Sequence, residues 1–174
     1  MAEFDPAIQL TLQHEGGFFH NPVTGEIVNF GITLVFVRDS GYRPAADEAF
    51  IRNLSTEQAR DIYRQYFWDR HNIGAIRDQD LANKVFDLTV NMGPGGKTRD
   101  GGLTLVQRAV NDCGGKCTVD GILGPKSIAA INGLDPVALL AAYRQRARKR
   151  YQAIAAADLK LTGNLSGWLA RLDA

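Results

Sequence analysis

The chain has few of the side chains that bind metals or form covalent cross-links. It contains two cysteines and three histidines among 174 residues. The histidines, His14, His20 and His71, are scattered, so a structural zinc site is not expected, and no cofactor is predicted. Cys113 and Cys117 enclose Gly-Gly-Lys in a predicted loop, where they could close a small disulfide or remain free thiols. A cytosolic origin favours the thiols.

The chain also lacks net charge and long apolar runs. Its 20 basic and 19 acidic side chains give a net charge of +1, which does not favour a polyanionic partner. Met1 to Leu10 has neither the basic start nor the apolar run of a signal peptide, and no run approaches membrane-spanning length. We therefore expect a soluble chain made in the cytoplasm, without membrane insertion, for which an extracytoplasmic target would require another delivery route. Its length suits one compact domain or two small lobes.

Glu15 is the first candidate functional residue. Asp5-Pro6 is typical of an N-cap and a first helical position, and the two glycines after Glu15 are expected to end this helix in the left-handed conformation. Ile8, Leu12 and Glu15 then share an apolar stripe. Desolvation there favours the protonated carboxyl that a general acid needs. The alternative is a glutamate that turns to solvent at the helix end, and the spacing favours neither.

Residues Phe18 to Thr33 have β character. Val23-Thr24-Gly25 is predicted to form the tip of a small hairpin, with Glu26 to Phe30 as the return strand. This ribbon should lie beside Glu15.

Helical signals dominate the rest of the chain. Leu34 to Arg38 should begin a helix that stops near Gly41, and Ser55-Thr56-Glu57-Gln58 is a capping box in front of a strongly helical pattern. Pro125 opens a short helix, and Asp135-Pro136 begins a long one through about Ala156. The inward stripe of that long helix is predicted to comprise Leu140, Tyr143, Ala147, Tyr151 and Ile154.

The helix predicted from Gln79 to Asn91 carries two stripes. The apolar stripe, which should be buried, comprises Leu81, Val85, Leu88 and Met92, and the neighbouring polar stripe comprises Lys84, Asp87 and Asn91. The polar stripe could face a cleft or, as is commoner for such stripes, solvent. Gly93 should end the helix.

Two patterns that suggest nucleotides or nucleic acids are rejected. Gly93 to Thr98 ends like a phosphate-binding loop, but Asn91 stands where the first glycine is required, and a helix precedes it where a strand is needed. It is interpreted as a flexible connection. The basic run from Arg144 to Arg150 has no interleaved aromatic residues and is typical of a solvated helix end. No nucleic-acid partner is predicted.

Several blocks together resemble the glycoside hydrolase family 108 N-acetylmuramidases. They are Glu15-Gly16-Gly17-Phe18, Asn29 to Thr33 (Asn-Phe-Gly-Ile-Thr), and Phe86 to Gly93 (Phe-Asp-Leu-Thr-Val-Asn-Met-Gly). Downstream, Val119 to Ser127, with Gly167-Trp168 and Arg171, is similar to the peptidoglycan-binding region that usually accompanies that family. The blocks cover nearly the whole chain in the family's order.

The resemblance implies a mainly α, lysozyme-like fold with one small β-hairpin beside the active-site cleft. It implies a catalytic lobe at residues 1–92 and a helical peptidoglycan-binding-like lobe at residues 93–174, packed as one compact unit. The implied activity is hydrolysis of the β-1,4 bond between N-acetylmuramic acid and N-acetylglucosamine, with Glu15 as the general acid.

The chain departs from the family pattern in the hairpin. Thr24 falls where the family has an aspartate, and Glu26 is the only acidic residue of the hairpin. Glu26 is therefore the candidate second catalytic carboxylate, against the alternative of an exposed charge that aids solubility. Inverting, retaining and single-acid schemes all stay open.

The substrate-binding residues implied by the resemblance lie on both sides of the expected cleft. They are Thr24, Asn29, Phe30, Thr33, Tyr42, Asp87 and Asn91. Neutral and acidic hydrogen-bonding groups suit a sugar, and Phe30 or Tyr42 could supply an aromatic platform. For Asp87 and Asn91 the alternative is a buried polar pair.

Three roles are compatible with these features. The first is a muramidase that lyses cell walls, either from a phage lysis cassette or as a secreted antibacterial effector with a cognate immunity protein. The others are a lytic transglycosylase that uses Glu15 alone and a non-catalytic peptidoglycan-binding module. In each case the expected partner is the peptidoglycan glycan strand, reached in the periplasm or cell wall by holin-type release or a dedicated secretion system.

Overall fold

The computed structural model describes residues 1–14, 16–22 and 24–173, apart from the side chains of His14 and Lys160. The described chain is mainly α-helical with a small antiparallel sheet, as predicted. The helices are α1 (Phe4–His14), α2 (Leu34–Asp39), α3 (Glu48–Arg52), α4 (Thr56–Tyr63), α5 (Gln79–Met92), α6 (Gly102–Asp112), α7 (Pro125–Asn132), α8 (Pro136–Ala157) and α9 (Leu165–Asp173). The strands, in sheet order, are β1 (Phe19–His20), β2 (Ile27–Asn29) and β3 (Ile32–Thr33).

Helix α1 begins at Phe4, so Asp5 and Pro6 lie inside its first turn. The Asp5 carboxylate accepts a hydrogen bond from Arg60 of α4 at 2.6 Å, which uses the acceptor that was predicted to cap the helix. The described helix ends at His14, and Gly17 does not adopt the left-handed conformation predicted for it. Glu15 lies outside the described residues.

The capping box at the start of α4 is confirmed. Ser55 Oγ accepts from Gln58 N at 3.1 Å, and Gln58 Oε1 accepts from Ser55 N at 2.9 Å. The helix buries Ala59, Ile62 and Tyr63, and the chain continues as a π-helix over Arg64–Asp69. The reciprocal cap satisfies two backbone N–H groups that would otherwise have no partner in the first turn.

Replacing Ser55 by alanine is expected to lower the free energy of unfolding by about 1 kcal/mol, the usual cost of losing a side-chain N-cap. Urea titration of wild type and Ser55→Ala checks this. Thr56→Ala is the control, because Thr56 follows the cap and supplies no capping bond. An equal loss in both variants would show that the cap is not the cause.

Helix α5 is buried on several faces and organises the core. It packs against α1, α6 and α8, which is why apolar residues continue around it. The predicted stripe of Leu81, Val85, Leu88 and Met92 is buried, and Gly93 ends the helix with φ 77°. On another face, Phe86 makes edge-to-face contacts with Phe4 of α1 and Trp68, at 5.7 Å between ring centroids.

The glycine-rich connection between α5 and α6, interpreted from the sequence as a flexible link, is closely packed and hydrogen-bonded in the structure. Gly102 N donates to Gly93 O at 2.7 Å, and Gly96 N donates to Arg99 O at 2.8 Å. A Cβ at Gly102 would lie 2.6 Å from Thr89 N, so glycine is required where α6 crosses α5.

Helix α8 presents a stripe with a strict four-residue spacing to the core. The stripe comprises Leu139, Tyr143, Ala147, Tyr151 and Ala155. The predicted stripe is therefore wrong at its two ends, because Leu140 and Ile154 flank this line and are only partly buried. Within the described part of the chain, no helix combines the length and apolarity needed to cross a membrane.

Candidate active site

The sheet is held directly against the residue that follows Glu15. Strands β2 and β3 pair Asn29 with Ile32, and Phe30 and Gly31 form the two-residue turn between them, with φ 51° and 72°. Positive φ at both turn positions suits the right-handed twist of a hairpin. Phe30 N donates to Gly16 O at 3.1 Å, so this turn adjoins the end of the Glu15 segment.

Tyr63, at the end of α4, fixes the same turn from the other side. Its hydroxyl donates to Phe30 O at 2.7 Å. Phe30 is thus held through both its backbone N–H and its carbonyl oxygen, which accounts for a bulky residue at positive φ. Its side chain is half-buried against the core.

The loop that carries Thr24 and Glu26 is closed by its own hydrogen bonds. Asn21 Oδ1 accepts from Thr24 N at 3.2 Å, and Thr24 Oγ1 accepts from Glu26 N at 3.3 Å. Both Thr24 and Glu26 are exposed. The Glu26 carboxylate is therefore open to solvent, and Thr24 has a turn-forming role in addition to the predicted contact with substrate. Val23, at the predicted tip, lies outside the described residues.

Asn29 and Thr33 have partners within the protein. Asn29 is buried, and its Nδ2 donates to Ile51 O at 3.0 Å, which joins the sheet to the end of α3. Thr33 Oγ1 accepts from Phe36 N at 3.0 Å and caps α2. These two residues hold the hairpin in place, and their predicted contacts with sugar remain predictions.

An aromatic cavity of about 210 Å³ lies beside β3. Its lining includes Thr33, Phe36, Tyr63, Phe67 and Val90. The rings of Phe36 and Phe67 stack at 5.6 Å between centroids. Such walls suit the apolar face of a sugar ring.

Tyr42 joins this aromatic cluster at its edge. Its ring meets that of Tyr66 edge-to-face at 6.2 Å, and Tyr66 meets Phe36 in the same way at 5.6 Å. Tyr42 is therefore linked through Tyr66 to Phe36 of the cavity wall but does not line the cavity itself, and its platform role remains a prediction.

The polar stripe of α5 faces α8 and α9. Arg171 of α9 donates to Asp87 Oδ1 through Nε at 2.9 Å and through a terminal nitrogen at 2.8 Å, and both side chains are buried. Lys84 Nζ donates to Arg171 O at 2.6 Å. Burial lowers the pKa of Lys84, and the Asp87 charge partly opposes that shift. Lys84 and Asp87 are buried in these contacts whereas Asn91 is exposed, and the predicted contacts of Asp87 and Asn91 with substrate remain predictions.

Asn91 ends the polar stripe with a bond to α8. Its Oδ1 accepts from the Tyr151 hydroxyl at 2.7 Å, and the Tyr151 ring stacks on Trp168 of α9 at 5.2 Å. Burial raises the pKa of Tyr151, so its hydroxyl stays a donor across the physiological range. Sequence reasoning missed these partners. The only available signal was the placement of Lys84 and Asp87 one turn apart on an otherwise apolar helix.

The segment from Asp120 to Ser127 is organised by Gln107 of α6. Gln107 Oε1 accepts from the backbone N–H groups of Asp120 and Gly121, and Gln107 Nε2 donates to Asp120 Oδ1 at 2.8 Å. The bond from Gln107 Nε2, followed by the bond from Ile122 N, lowers the pKa of the Asp120 carboxyl. The segment is a turn that leads into α7, with Pro125 at the first helical position.

Cys113 and Cys117 are free thiols, the second of the two alternatives for this pair. The Cys117 sulfur lies 3.3 Å from Ser127 Oγ, and the Cys113 sulfur lies 3.9 Å from Ala138 O. In the described residues, no three His, Cys, Asp or Glu side chains are grouped as metal ligands would be.

Two family models match this chain in succession. The model described as Glycosyl hydrolase 108 matches residues 8–93, and the model described as Predicted Peptidoglycan domain matches residues 101–173. The structure of Brucella abortus SagA is similar, with a TM-score of 0.75 and 22% identity over 98% of this chain and 89% of that chain. This likeness confirms the lysozyme-like fold. No curated protein matches the chain.

Proposed function

We propose that this glycoside hydrolase acting on peptidoglycan is an N-acetylmuramidase, because residues 8–93 match the glycosyl hydrolase 108 model and residues 101–173 match the predicted peptidoglycan domain. It would cleave the β-1,4 bond between N-acetylmuramic acid and N-acetylglucosamine, with Glu15 as the general acid. The observation that carries this proposal is the hydrogen bond from Phe30 N to Gly16 O. It holds the hairpin against the neighbour of Glu15.

In this mechanism the protonated Glu15 carboxyl donates its proton to the glycosidic oxygen while positive charge develops on the sugar ring. The hairpin and the aromatic cavity beside β3 would form the adjoining wall. Glu26 is the proposed second carboxylate, which would activate a water molecule or attack the sugar from the other side. Its exposure leaves that carboxylate accessible, as either role requires.

The Glu26→Gln variant tests the second carboxylate. We expect its rate of reducing-end release from purified peptidoglycan to fall by about 10²-fold or more, because a neutral amide can act neither as base nor as nucleophile. Glu57→Gln is the matched control, an exposed glutamate on α4. If both variants keep wild-type activity, the enzyme works without Glu26.

A lytic transglycosylase is the second candidate, and one observation favours it. Thr24 stands where the family has an aspartate, and its hydroxyl accepts a hydrogen bond from Glu26 N. The only acid of the loop is then Glu26, which is exposed. A transglycosylase needs one acid/base residue and no attacking water.

Product analysis separates the two reactions. Mass spectrometry of digested peptidoglycan should find muropeptides with reducing ends if the enzyme is a hydrolase. Anhydro-muropeptides in their place would establish a transglycosylase. If binding to cell walls is accompanied by neither product, the chain is a non-catalytic peptidoglycan-binding module.

We propose that the biological outcome is lysis of bacterial cell walls in the periplasm. The enzyme would arrive by holin-type release, as a phage endolysin does, or through a dedicated secretion system, as an antibacterial effector does. An effector requires an immunity protein that covers the cleft in the producing cell. A pull-down from the producing strain with the Glu15→Gln protein should then recover a periplasmic partner, and failure to recover one would argue against the effector route.

A further inference from the structure

A second cavity, of about 350 Å³, lies where α1, α5 and α8 meet. Gln13 comes from α1, and Asp80, Lys84 and Asp87 come from α5, within the hydrolase-matched region. Arg144 comes from α8, within the peptidoglycan-domain match. The cavity is therefore lined by both regions and is separate from the aromatic cavity beside β3.

Asp87 provides an unsatisfied acceptor in this cavity. Its Oδ1 receives both bonds from Arg171, whereas its Oδ2 is buried and accepts no hydrogen bond from any described residue. The residue is 4% exposed. A buried carboxylate oxygen without a donor destabilises the protein, so this oxygen is suited to a donor that enters with a ligand.

Arg144 provides the complementary donor. Its Nε is buried and has no hydrogen-bond acceptor among the described residues. Lys84, a residue that is 7% exposed, adds a second positive charge to the lining. Asp80 adds a second carboxylate to the lining, two helical turns before Asp87. The cavity thus combines groups of both signs, and one buried atom of each sign, Asp87 Oδ2 and Arg144 Nε, has no hydrogen-bond partner in the described protein.

We propose that this cavity binds the zwitterionic end of an amino-acid residue, with its ammonium at Asp87 Oδ2 and its carboxylate at Arg144. A simple anion would leave Asp87 unsatisfied, and a simple cation would leave Arg144 unsatisfied. The volume lies at the low end for ligand sites and suits one small end group. The identity of the occupant rests on the proposed function. It is the diaminopimelate end of a peptidoglycan stem peptide, which carries an ammonium and a carboxylate on one carbon.

If the stem peptide binds in this cavity, the hydrolase-matched region and the peptidoglycan-domain region would both contact the same muropeptide. The glycan strand would lie at the hairpin and the stem peptide would enter between α1, α5 and α8. The interface between the regions therefore selects walls by the chemistry of their stem peptides.

Calorimetric titration of the full chain with two peptides tests this. One peptide is L-Ala-γ-D-Glu-meso-diaminopimelate, and the other has lysine in place of diaminopimelate, which keeps the ammonium and removes the adjacent carboxylate. Wild type should bind the diaminopimelate peptide about tenfold or more tightly than the lysine peptide, the value of a charge-assisted bond to arginine. In Arg144→Gln this preference should disappear.

Arg150→Gln is the matched control, because it removes the same charge from the same helix outside the cavity. It should keep the preference of wild type. Asp87→Asn retains an oxygen for Arg171 and should weaken binding of both peptides, because both carry the ammonium. It should not change the binding of a diaminopimelate peptide that is acetylated on its free amine. Thermal unfolding of each variant identifies any loss that comes from misfolding.

Three results would overturn the proposal. They are no saturable binding of the diaminopimelate peptide by wild type at millimolar concentration, equal affinity for both peptides, and an unchanged preference in Arg144→Gln. Since titration reads peptide binding without catalysis, it is independent of the muramidase proposal. A wild type that binds the peptide and releases no cleaved glycan would refute the enzyme function alone.

Discussion

The Glu15→Gln variant is expected to release reducing ends from purified peptidoglycan about 10²- to 10⁴-fold more slowly than wild type, the usual contribution of a positioned general acid. Glutamine is nearly isosteric with the protonated glutamic acid but cannot give up a proton to the glycosidic oxygen. Binding to intact cell walls should change little, because the amide keeps the shape and hydrogen bonding of the neutral acid. The defect should therefore appear in kcat and not in KM.

Zymography and a reducing-end assay together measure this effect. Glu57→Gln again serves as the control, since it removes one exposed carboxylate on α4 and should retain wild-type activity. If Glu15→Gln keeps more than about a tenth of the wild-type rate, an effect smaller than general acid catalysis provides, another residue is the acid.

The Arg171→Met variant is expected to lower the free energy of unfolding by about 3–5 kcal/mol, the cost of removing one partner from a buried ion pair. Arg171 provides two hydrogen bonds to Asp87 Oδ1, and both side chains are more than nine-tenths buried. Methionine fills much of the volume but leaves the Asp87 carboxylate without its counter-charge. At roughly 2–4 °C per kcal/mol for a chain of this size, the melting temperature should fall by about 10 °C.

Urea and thermal unfolding measure this loss. Arg148→Met is the matched control, because Arg148 pairs with Asp173 at 2.8 Å on the surface, where such pairs contribute about 0–1 kcal/mol. The double variant Arg171→Met with Asp87→Leu should recover part of the stability, because the uncompensated Asp87 carboxylate is removed, while Lys84 loses one of its counter-charges. A loss below about 1 kcal/mol in Arg171→Met would show that Asp87 does not depend on this partner.

The helices of the chain were largely predictable because their signals are local. The Ser55 capping box, Pro125 at the first position of α7 and Gly93 after α5 each act through backbone groups a few residues away. The stripe of α8 was predicted with errors at Leu140 and Ile154, because periodicity indicates that a helix has a buried face more reliably than it identifies the residues at the edge of that face.

The candidate site was less predictable because its residues have long-range partners. Asn29 and Thr33 were predicted to contact sugar, yet each also forms a hydrogen bond within the protein. Asn29 donates to Ile51 O, and Thr33 accepts from Phe36 N. A polar side chain in a sequence pattern does not reveal whether a ligand or the protein supplies its partner. The roles of Glu15 and Glu26 likewise remain predictions for the variants above to test.

By itself, the sequence determined the helical class, the small hairpin, the order of the two matched regions and the candidate acid, because these depend on local spacing and on motif order. Only the tertiary structure decided what the polar stripe of α5 does. Lys84, Asp87 and Asn91 find their partners in Arg171 and Tyr151, at least 60 residues further along the chain. A buried charge requires a counter-charge within a few ångströms, and only folding brings residues so distant in sequence to that separation.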